Sequence, residues 1–162
     1  MNIALYMLEV VGAMLAEADP HPEVFDLLHN GLARLAQADA PLPAVLAYFQ
    51  WRLLRHVGLL GDMTMCVSCG KAVGTAVPPN RSVYFSSRQG GLLCADCESA
   101  AAEKYRLSAD ALAGLSVLHA VGRGAKGVTL PDNQAKQLNR LLTYHIASQL
   151  GKPPKMAKHA IA

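Results

Sequence analysis

The chain has 162 residues, enough for one sizeable domain or for a helical domain with a small insert. Its residues are 52% hydrophobic, so it can bury a core, and its formal net charge is only +3. The apolar stretch 3–16 has no basic residue before it, contains Glu9 and is too short to span a bilayer. We therefore interpret it as a core helix and expect a cytoplasmic protein with reduced cysteines and no membrane partner.

Charge is divided unevenly along the chain. Residues 1–65 carry 3 basic and 7 acidic side chains, whereas residues 66–162 carry 12 basic and 5 acidic ones. A basic half of this kind is typical of a protein that contacts nucleic acid. Some of its cations could instead compensate the negative charge of a metal site, and the sequence leaves both interpretations open.

Apolar residues recur at helical spacing in the first third of the chain and predict three helices. Their members are Leu5, Leu8 and 11–15, then Phe25, Leu28, Leu32 and Leu35, then Leu46, Phe49, Leu53, Leu54 and Val57. The segments 19–22 and 40–43 each contain two prolines and separate the helices. Tyr48 and Trp51 lie among the apolar residues of the third helix and are expected in the core.

All four cysteines occur in two C-x-x-C pairs, Cys66 with Cys69 and Cys94 with Cys97. Zinc binds four ligands tetrahedrally, and a two-residue spacer lets one turn present two sulfurs to the same ion. Gly70 suits such a turn because glycine adopts positive φ without a steric penalty. The pattern predicts one structural Zn²⁺ ion, with segments 82–86 and 91–93 forming a small hairpin that returns the second pair to the first.

Three other interpretations of these cysteines are weaker. A disulfide framework needs an oxidising compartment, and a thioredoxin-like redox pair needs a βαβ context. A zinc deaminase would use His21 and Glu23 as its H-x-E motif. That signature has a proline before its cysteine pair, whereas Met65 and Leu93 stand there, and it would leave two cysteines unused.

The remaining pattern predicts a mainly α fold, a compact helical domain with an inserted four-cysteine zinc ribbon or hairpin. A short helix should follow Cys97 to about Tyr105, and two longer helices should cover about 108–121 and 132–150. Glycines at 122, 124 and 127 fit G-x-G-x-x-G, but they follow a helix instead of a strand, so we reject a dinucleotide site. The expected units are the helical body 1–65 and 98–151, the zinc-binding insert 66–97 and a basic flexible tail 152–162.

Six cations of the basic half are candidate contacts for DNA phosphates. They are Arg81, Arg88, Arg123, Lys126, Lys136 and Arg140.

The order of these pieces resembles the C-terminal part of the bacterial DNA repair and recombination mediator RecO. The residues that carry the resemblance are Tyr6-Met-Leu-Glu9, Pro22 with Phe25 and Leu27-Leu28, Phe49 with Leu53-Leu54 and Gly58, Cys66-x-x-Cys69-Gly70, Gly90-Gly91-Leu-Leu-Cys94-x-x-Cys97, and Leu150-Gly151-Lys152. RecO proteins begin with an OB-fold domain that contributes to DNA binding, and this chain starts at the helical part. The basic serine-containing ending common in the family is replaced here by Lys155-Met-Ala-Lys158.

The resemblance implies a protein of DNA repair and recombination that is not an enzyme and has no small-molecule substrate. It implies binding and annealing of single- and double-stranded DNA in the nucleoid, together with RecR and single-stranded DNA-binding protein, and indirect loading of RecA. The acidic, phenylalanine-ended tail of single-stranded DNA-binding protein docks on the family's helical region. Arg52, Arg55 and Arg140 are candidates for the cationic rim of such a site. The alternative is a zinc-containing adaptor that docks recombination partners without binding DNA directly.

Overall fold

The computed structural model describes residues 2–16, 20–73, 82–122 and 129–161. Within these ranges, six helices and one small antiparallel sheet with a four-cysteine cluster are present. The predicted mainly α fold with an inserted cysteine hairpin is therefore confirmed. No helix in the described ranges is long and apolar enough to cross a membrane.

The first three helices match the three predicted apolar segments. They are α1 (Asn2–Met14), α2 (Pro22–Leu35) and α3 (Leu42–His56). Proline stands in the first turn of both α2 and α3. Proline is tolerated there because an N–H group in the first turn has no partner within the helix.

Several apolar residues of these helices do not lie where their periodicity predicts. Phe25 is 69% exposed, and Leu5 and Leu8 on α1 are nearly half exposed. Helix α1 is apolar on all sides, so periodicity alone cannot say which side is covered. The prediction of a core position is also wrong for Tyr48, which is 38% exposed, whereas Trp51 is buried as expected.

The sheet has the strand order β2-β1-β3 and is antiparallel throughout. Its strands are β1 (Tyr84–Ser86), β2 (Gly91–Leu93) and β3 (Tyr105–Arg106), of which β1 and β2 form the predicted hairpin. The prediction of a helix from Cys97 to about Tyr105 is wrong beyond its first turn. Only Glu98–Ala100 is helical, as one 3₁₀ turn, because the chain then extends at Ala101 and pairs with β1.

Two long helices complete the body, α4 (Ala109–Gly122) and α5 (Asp132–Leu150). The Ser108 hydroxyl accepts a hydrogen bond from the Ala111 N–H at 3.1 Å, which is the predicted N-terminal cap of α4. Gly151 ends α5 with φ of 70°, the left-handed conformation that glycine adopts most easily.

The C-terminal segment, for which the sequence predicts a basic flexible tail over 152–162, contacts the helical body. The Glu9 carboxylate accepts hydrogen bonds from the backbone N–H groups of Lys155 and Met156, at 2.7 and 2.9 Å. A short helix, α6 (Ala157–Ala160), follows and packs against α1. The apolar residues of 156–161 contact the core, and this contact outweighs the basic and proline content that predicted disorder.

Helix α5 is central and packs most extensively against α3 and α4. A buried polar network joins it to α3 and α1. Gln50 accepts hydrogen bonds from the hydroxyls of Tyr6 and Thr143, both at 2.9 Å, and donates to Asn139 at 2.9 Å. Asn139 donates in turn to the Pro43 carbonyl, so each buried amide of the network is paired.

Candidate metal centre

The four cysteine sulfurs lie within 4.8 Å of one another. The sulfurs of Cys69 and Cys94, one from each pair, are 3.7 Å apart. A disulfide bond would bring two sulfurs to about 2.05 Å, so the cluster is not a disulfide framework. Tetrahedral zinc with about 2.3 Å bonds would separate its sulfurs by about 3.8 Å, which fits the observed spacing.

The first cysteine pair lies on a tight backbone turn. The Cys66 N–H donates to the Lys71 carbonyl at 2.7 Å, and the Gly70 N–H donates to the Cys66 carbonyl at 2.8 Å. Gly70 has φ of 71°, as its position directly after the pair predicts. This turn directs the Cys66 and Cys69 sulfurs toward the same point.

The second pair sits on a similar turn after β2. The N–H groups of Cys97 and Glu98 both donate to the Cys94 carbonyl at 3.1 Å. The hairpin approaches the first pair closely because glycine stands at both contact points. A Cβ atom at Gly90 would lie 2.6 Å from the Leu59 carbonyl oxygen, and one at Gly91 would lie 2.9 Å from the Cβ of Val67.

The electrostatics of the cluster favour a bound cation. Burial raises the pKa of the Cys66 thiol, but backbone N–H groups of Cys94, Cys69 and Ser68 outweigh burial and bring the pKa down to about 6. Hydrogen bonds with Cys69 and Cys94 raise the pKa of Cys97 to about 12. Four thiolates in so small a volume repel one another unless a cation compensates them, and a divalent zinc ion would do so.

The donor set fits a structural zinc ion better than a catalytic one. Four sulfur ligands fill a tetrahedral shell and leave no position for a reactive water. His21 and Glu23, the residues of the deaminase alternative, form a pair with each other at 3.4 Å. Among the described residues, the four cysteines are the one group of His, Cys, Asp and Glu side chains that converges like a metal site, and it contains neither of them.

A set of hydrogen bonds fastens the cysteine hairpin to α5. His145 is fully buried, and its Nε2 lies 2.8 Å from the Leu59 carbonyl. Its Nδ1 lies 2.9 Å from the Ser87 hydroxyl, and the Phe85 ring meets its edge at 5.0 Å. A neutral ring therefore donates from Nε2 and accepts at Nδ1. Gln149 donates to the Ser87 carbonyl at 2.8 Å and strengthens the same junction.

Glu103 fastens the other side of the hairpin. Its carboxylate accepts hydrogen bonds from the backbone N–H groups of Ser87 and Arg88, at 2.9 and 3.3 Å, and from the Tyr144 hydroxyl. Sequence patterns did not identify this junction, because its members are dispersed between positions 59 and 149.

We expect the free energy of unfolding to decrease as the pH drops below neutral, because His145 is buried in its neutral form. Burial lowers the pKa of its ring and outweighs the opposing hydrogen bond to Leu59. The unfolded chain, with a histidine pKa near 6.5, then binds a proton more readily than the folded chain. The stabilisation is complete above that pKa and is lost as the pH falls below it.

Urea unfolding of the zinc-loaded protein between about pH 7.5 and about pH 5.5 tests this expectation. His145→Gln, which does not titrate in this range, should lose less stability than the wild type over the interval. Parallel pH curves of the two proteins, both kept saturated with zinc, would contradict the role of His145.

The structure places three of the six candidate DNA contacts. Arg88 is exposed on the hairpin turn, and Lys136 and Arg140 are exposed one turn apart on α5. Lys136 also pairs with Asp132 at 2.8 Å. The other three candidates, Arg81, Arg123 and Lys126, lie outside the described residues.

Two of the three candidate partner contacts share a cavity. Arg52 and Arg55 line an open space of about 430 Å³ beside Trp51, Leu60 and His119. We call it the Arg52–Arg55 cavity. The Arg55 guanidinium lies 5.3 Å from the centre of the Trp51 ring, a cation–π contact that holds it at the cavity wall. Arg140 does not line this cavity, so the structure does not bring the three arginines together.

A second cavity was not predicted from the sequence. It has a volume of about 300 Å³ and lies between α2 and α3, with a largely apolar wall and one cation, Arg34. Tyr48, which does not enter the core, is one of its lining residues, and no sequence pattern indicated this cavity.

Residues 1–158 match the family model described as Recombination protein O C terminal. The chain belongs to the RecO family. The match includes both cysteine pairs and all of α5, so it confirms the resemblance that the motifs indicate. The RecO family acts in DNA repair and recombination as a mediator and not as an enzyme.

Three relatives named DNA repair protein RecO show the extent of the similarity. The protein of Myxococcus xanthus is 30% identical over 158 residues, which cover 96% of this chain and 61% of the relative. The protein of Anaeromyxobacter dehalogenans (strain 2CP-C) is 31% identical over 91% of this chain and 56% of its own length. The protein of Symbiobacterium thermophilum is 30% identical over 92% of this chain and 58% of its own length. The chain thus spans less than two thirds of these relatives.

Proposed function

We propose that this chain acts in the cytoplasm as the helical and zinc-binding part of a recombination mediator. It contacts single- and double-stranded DNA through phosphates, and works with RecR and single-stranded DNA-binding protein so that RecA is loaded. The observation that carries the proposal is the family match over residues 1–158, in a chain whose four cysteines converge as a zinc site. Zinc supports the fold in this proposal and takes part in no reaction.

Exposed cations support contact with DNA phosphates. Lys136 and Arg140 lie four residues apart and therefore face the same side of α5. Phosphate contacts of this kind give affinity without reading base sequence. Lys71 and Lys104 both pair with a carboxylate, Asp96 and Glu98 respectively, whereas of the two α5 cations only Lys136 forms such a pair among the described residues, to Asp132.

We expect salt-sensitive binding of DNA. If about five cations contact the backbone, log affinity against log salt should have a slope of about −3.5 for single strands and about −4.5 for duplex. Fluorescence anisotropy of labelled DNA with the zinc-loaded chain, between about 50 and 200 mM salt, measures it.

Charge-removing variants localise the contact. Lys136→Gln with Arg140→Gln should make the single-strand slope shallower by about 1.4, since each phosphate contact contributes about 0.7. Lys71→Gln with Lys104→Gln removes the same formal charge from paired positions and should change the slope little. A flat salt dependence of the unmodified chain would rule out DNA contact by this part of the protein.

The Arg52–Arg55 cavity favours a second role, docking of an acidic partner segment. Arg52, Arg55 and the half-buried His119 line the cavity together with Trp51 and Leu60, which are 3% and 8% exposed. This arrangement suits a peptide that presents carboxylates beside an aromatic ring. The tail of single-stranded DNA-binding protein, acidic and ended by phenylalanine, has that chemistry.

We expect a synthetic acidic peptide ended by phenylalanine to bind the chain. Arg52→Ala with Arg55→Ala should weaken binding at least about tenfold, because each charged hydrogen bond contributes about 1.5–3 kcal/mol. Arg34→Ala is the matched control, since Arg34 is the cation of the other cavity. Isothermal titration calorimetry with both variants measures the difference, and selective loss in Arg34→Ala would move the docking site to the cavity between α2 and α3.

The same two titrations separate the mediator from the adaptor. Peptide binding without any salt-sensitive DNA binding would favour an adaptor that docks recombination partners. DNA binding that the α5 variants weaken would favour a mediator part that itself touches DNA.

A further inference from the structure

Phe25 is the most exposed large apolar side chain in the described part of the protein, at 69%. Its ring stacks on His29, one turn further along α2, at 6.3 Å. Two exposed carboxylates, Glu23 and Asp26, flank it. An aromatic ring beside two acids adds little to the core of this chain, but it is a common anchor at protein interfaces.

The Arg52–Arg55 cavity has the complementary chemistry. Its volume of about 430 Å³ exceeds what one aromatic side chain fills, and its lining includes Trp51 and Leu60, which present only a small apolar surface because both are more than nine-tenths buried. Asp62 is the one acid in the lining, and its carboxylate is already engaged by the Thr64 N–H at 2.8 Å and hydroxyl at 2.6 Å. Asp62 also interacts electrostatically with Arg55, but one carboxylate against two guanidinium groups leaves the lining with net positive charge for carboxylates from outside.

Phe25 and the Arg52–Arg55 cavity lie on neighbouring parts of the surface, as the interactions of Glu23 and Arg52 with His56 indicate. Arg52, in the cavity wall, lies 3.4 Å from the His56 ring. The Glu23 carboxylate, two residues before Phe25, interacts electrostatically with the same ring. When two complementary patches are adjacent on one chain, two copies related by a two-fold axis can satisfy both at once.

We propose that Phe25, with Glu23 and Asp26, docks into the Arg52–Arg55 cavity of a second copy, so that two copies form a reciprocal dimer. The ring meets Trp51 and Leu60, and the flanking carboxylates meet the two guanidinium groups. The dimer occupies the cavity that the proposed function gives to an acidic partner segment. Self-association and peptide docking therefore exclude each other, which would make partner binding depend on release of the dimer.

Sedimentation velocity of the zinc-loaded chain, at concentrations up to about 1 mM, measures the dimer directly. Phe25→Ala should weaken it at least about tenfold, as expected for a central aromatic anchor. Leu8→Ala removes another exposed apolar side chain, 48% exposed on α1, and should leave the dimer unchanged. A wild-type chain that is monomeric throughout, or a Phe25→Ala protein that dimerises as tightly, would overturn the proposal.

A charge exchange gives a stricter test. One variant carries Glu23→Arg and Asp26→Arg, and the other carries Arg52→Asp and Arg55→Asp. Each alone places like charges across both contacts and should be monomeric, whereas their mixture restores opposite charges at both contacts and should dimerise. Dimerisation of either variant alone, or a monomeric mixture of two proteins with wild-type circular dichroism, would contradict the proposed contact.

The peptide of the previous section distinguishes the two proposals. It should dissociate the dimer if both are correct. A dimer that the peptide neither binds nor dissociates would overturn only the docking of the acidic tail, and peptide binding to a strictly monomeric chain would overturn only the dimer.

Discussion

Removal of zinc is expected to lower the free energy of unfolding of the whole chain by about 5 kcal/mol or more. Thiolate coordination is also folding free energy, and zinc-finger peptides bind the ion with about 10–16 kcal/mol. From the positions of the cysteines alone, zinc removal is expected to loosen only residues 66–97. The structure extends the effect, because Phe85, Leu92 and Leu93 of the hairpin belong to the same core as the helices.

Two preparations test this expectation, the chelated wild type and a Cys94→Ser variant. Hydrogen exchange should increase in the hairpin, in the turn at 58–62 and near His145 of α5. Most far-UV helicity should remain, because α1, α2 and α3 pack on one another without the hairpin. Ser68→Ala, within the first pair's spacer, keeps all four ligands and is the control.

Either of two results would contradict this account. A chelated chain with unchanged unfolding free energy would mean that zinc contributes nothing to the fold. A complete loss of helicity would mean that the helical body cannot fold without the cysteine hairpin.

Local patterns predicted the elements of this protein well. Helical spacing and paired prolines located α1, α2 and α3, and the cysteine spacing located the metal centre. Gly70 was identified as a turn position because positive φ leaves few alternatives to glycine. These features succeeded because each depends on residues close together in the chain.

The failures concern contacts between distant residues. Helical spacing groups Phe25 with the apolar residues of α2, but whether its side of the helix is covered depends on the neighbouring elements. The C-terminal segment appeared too polar to fold, yet Glu9, about 146 residues earlier, holds its backbone. Tyr105 was assigned to a helix, but pairing with Phe85 makes it a strand. Tertiary contact overrode local preference in each case.

His145→Ala is expected to cost about 3–5 kcal/mol of unfolding free energy. The substitution leaves a cavity beside the buried Phe85 and removes the partner of the buried Ser87 hydroxyl and of the partly buried Leu59 carbonyl. Tyr144→Phe is a suitable control. It removes a single hydrogen bond to Glu103 at a partly exposed position and should cost about 1 kcal/mol.

His145→Ala should also weaken zinc binding, because His145 holds the turn that joins the two strands of the cysteine hairpin. Competition with a chromophoric chelator should show lower zinc affinity for His145→Ala than for Tyr144→Phe. In a double cycle, the cost of His145→Ala should shrink once zinc has been removed, since both changes release the same hairpin. If the two costs simply add, the metal centre and α5 are stabilised independently, and the polar junction at His145 does not transmit the zinc contribution to the helical body.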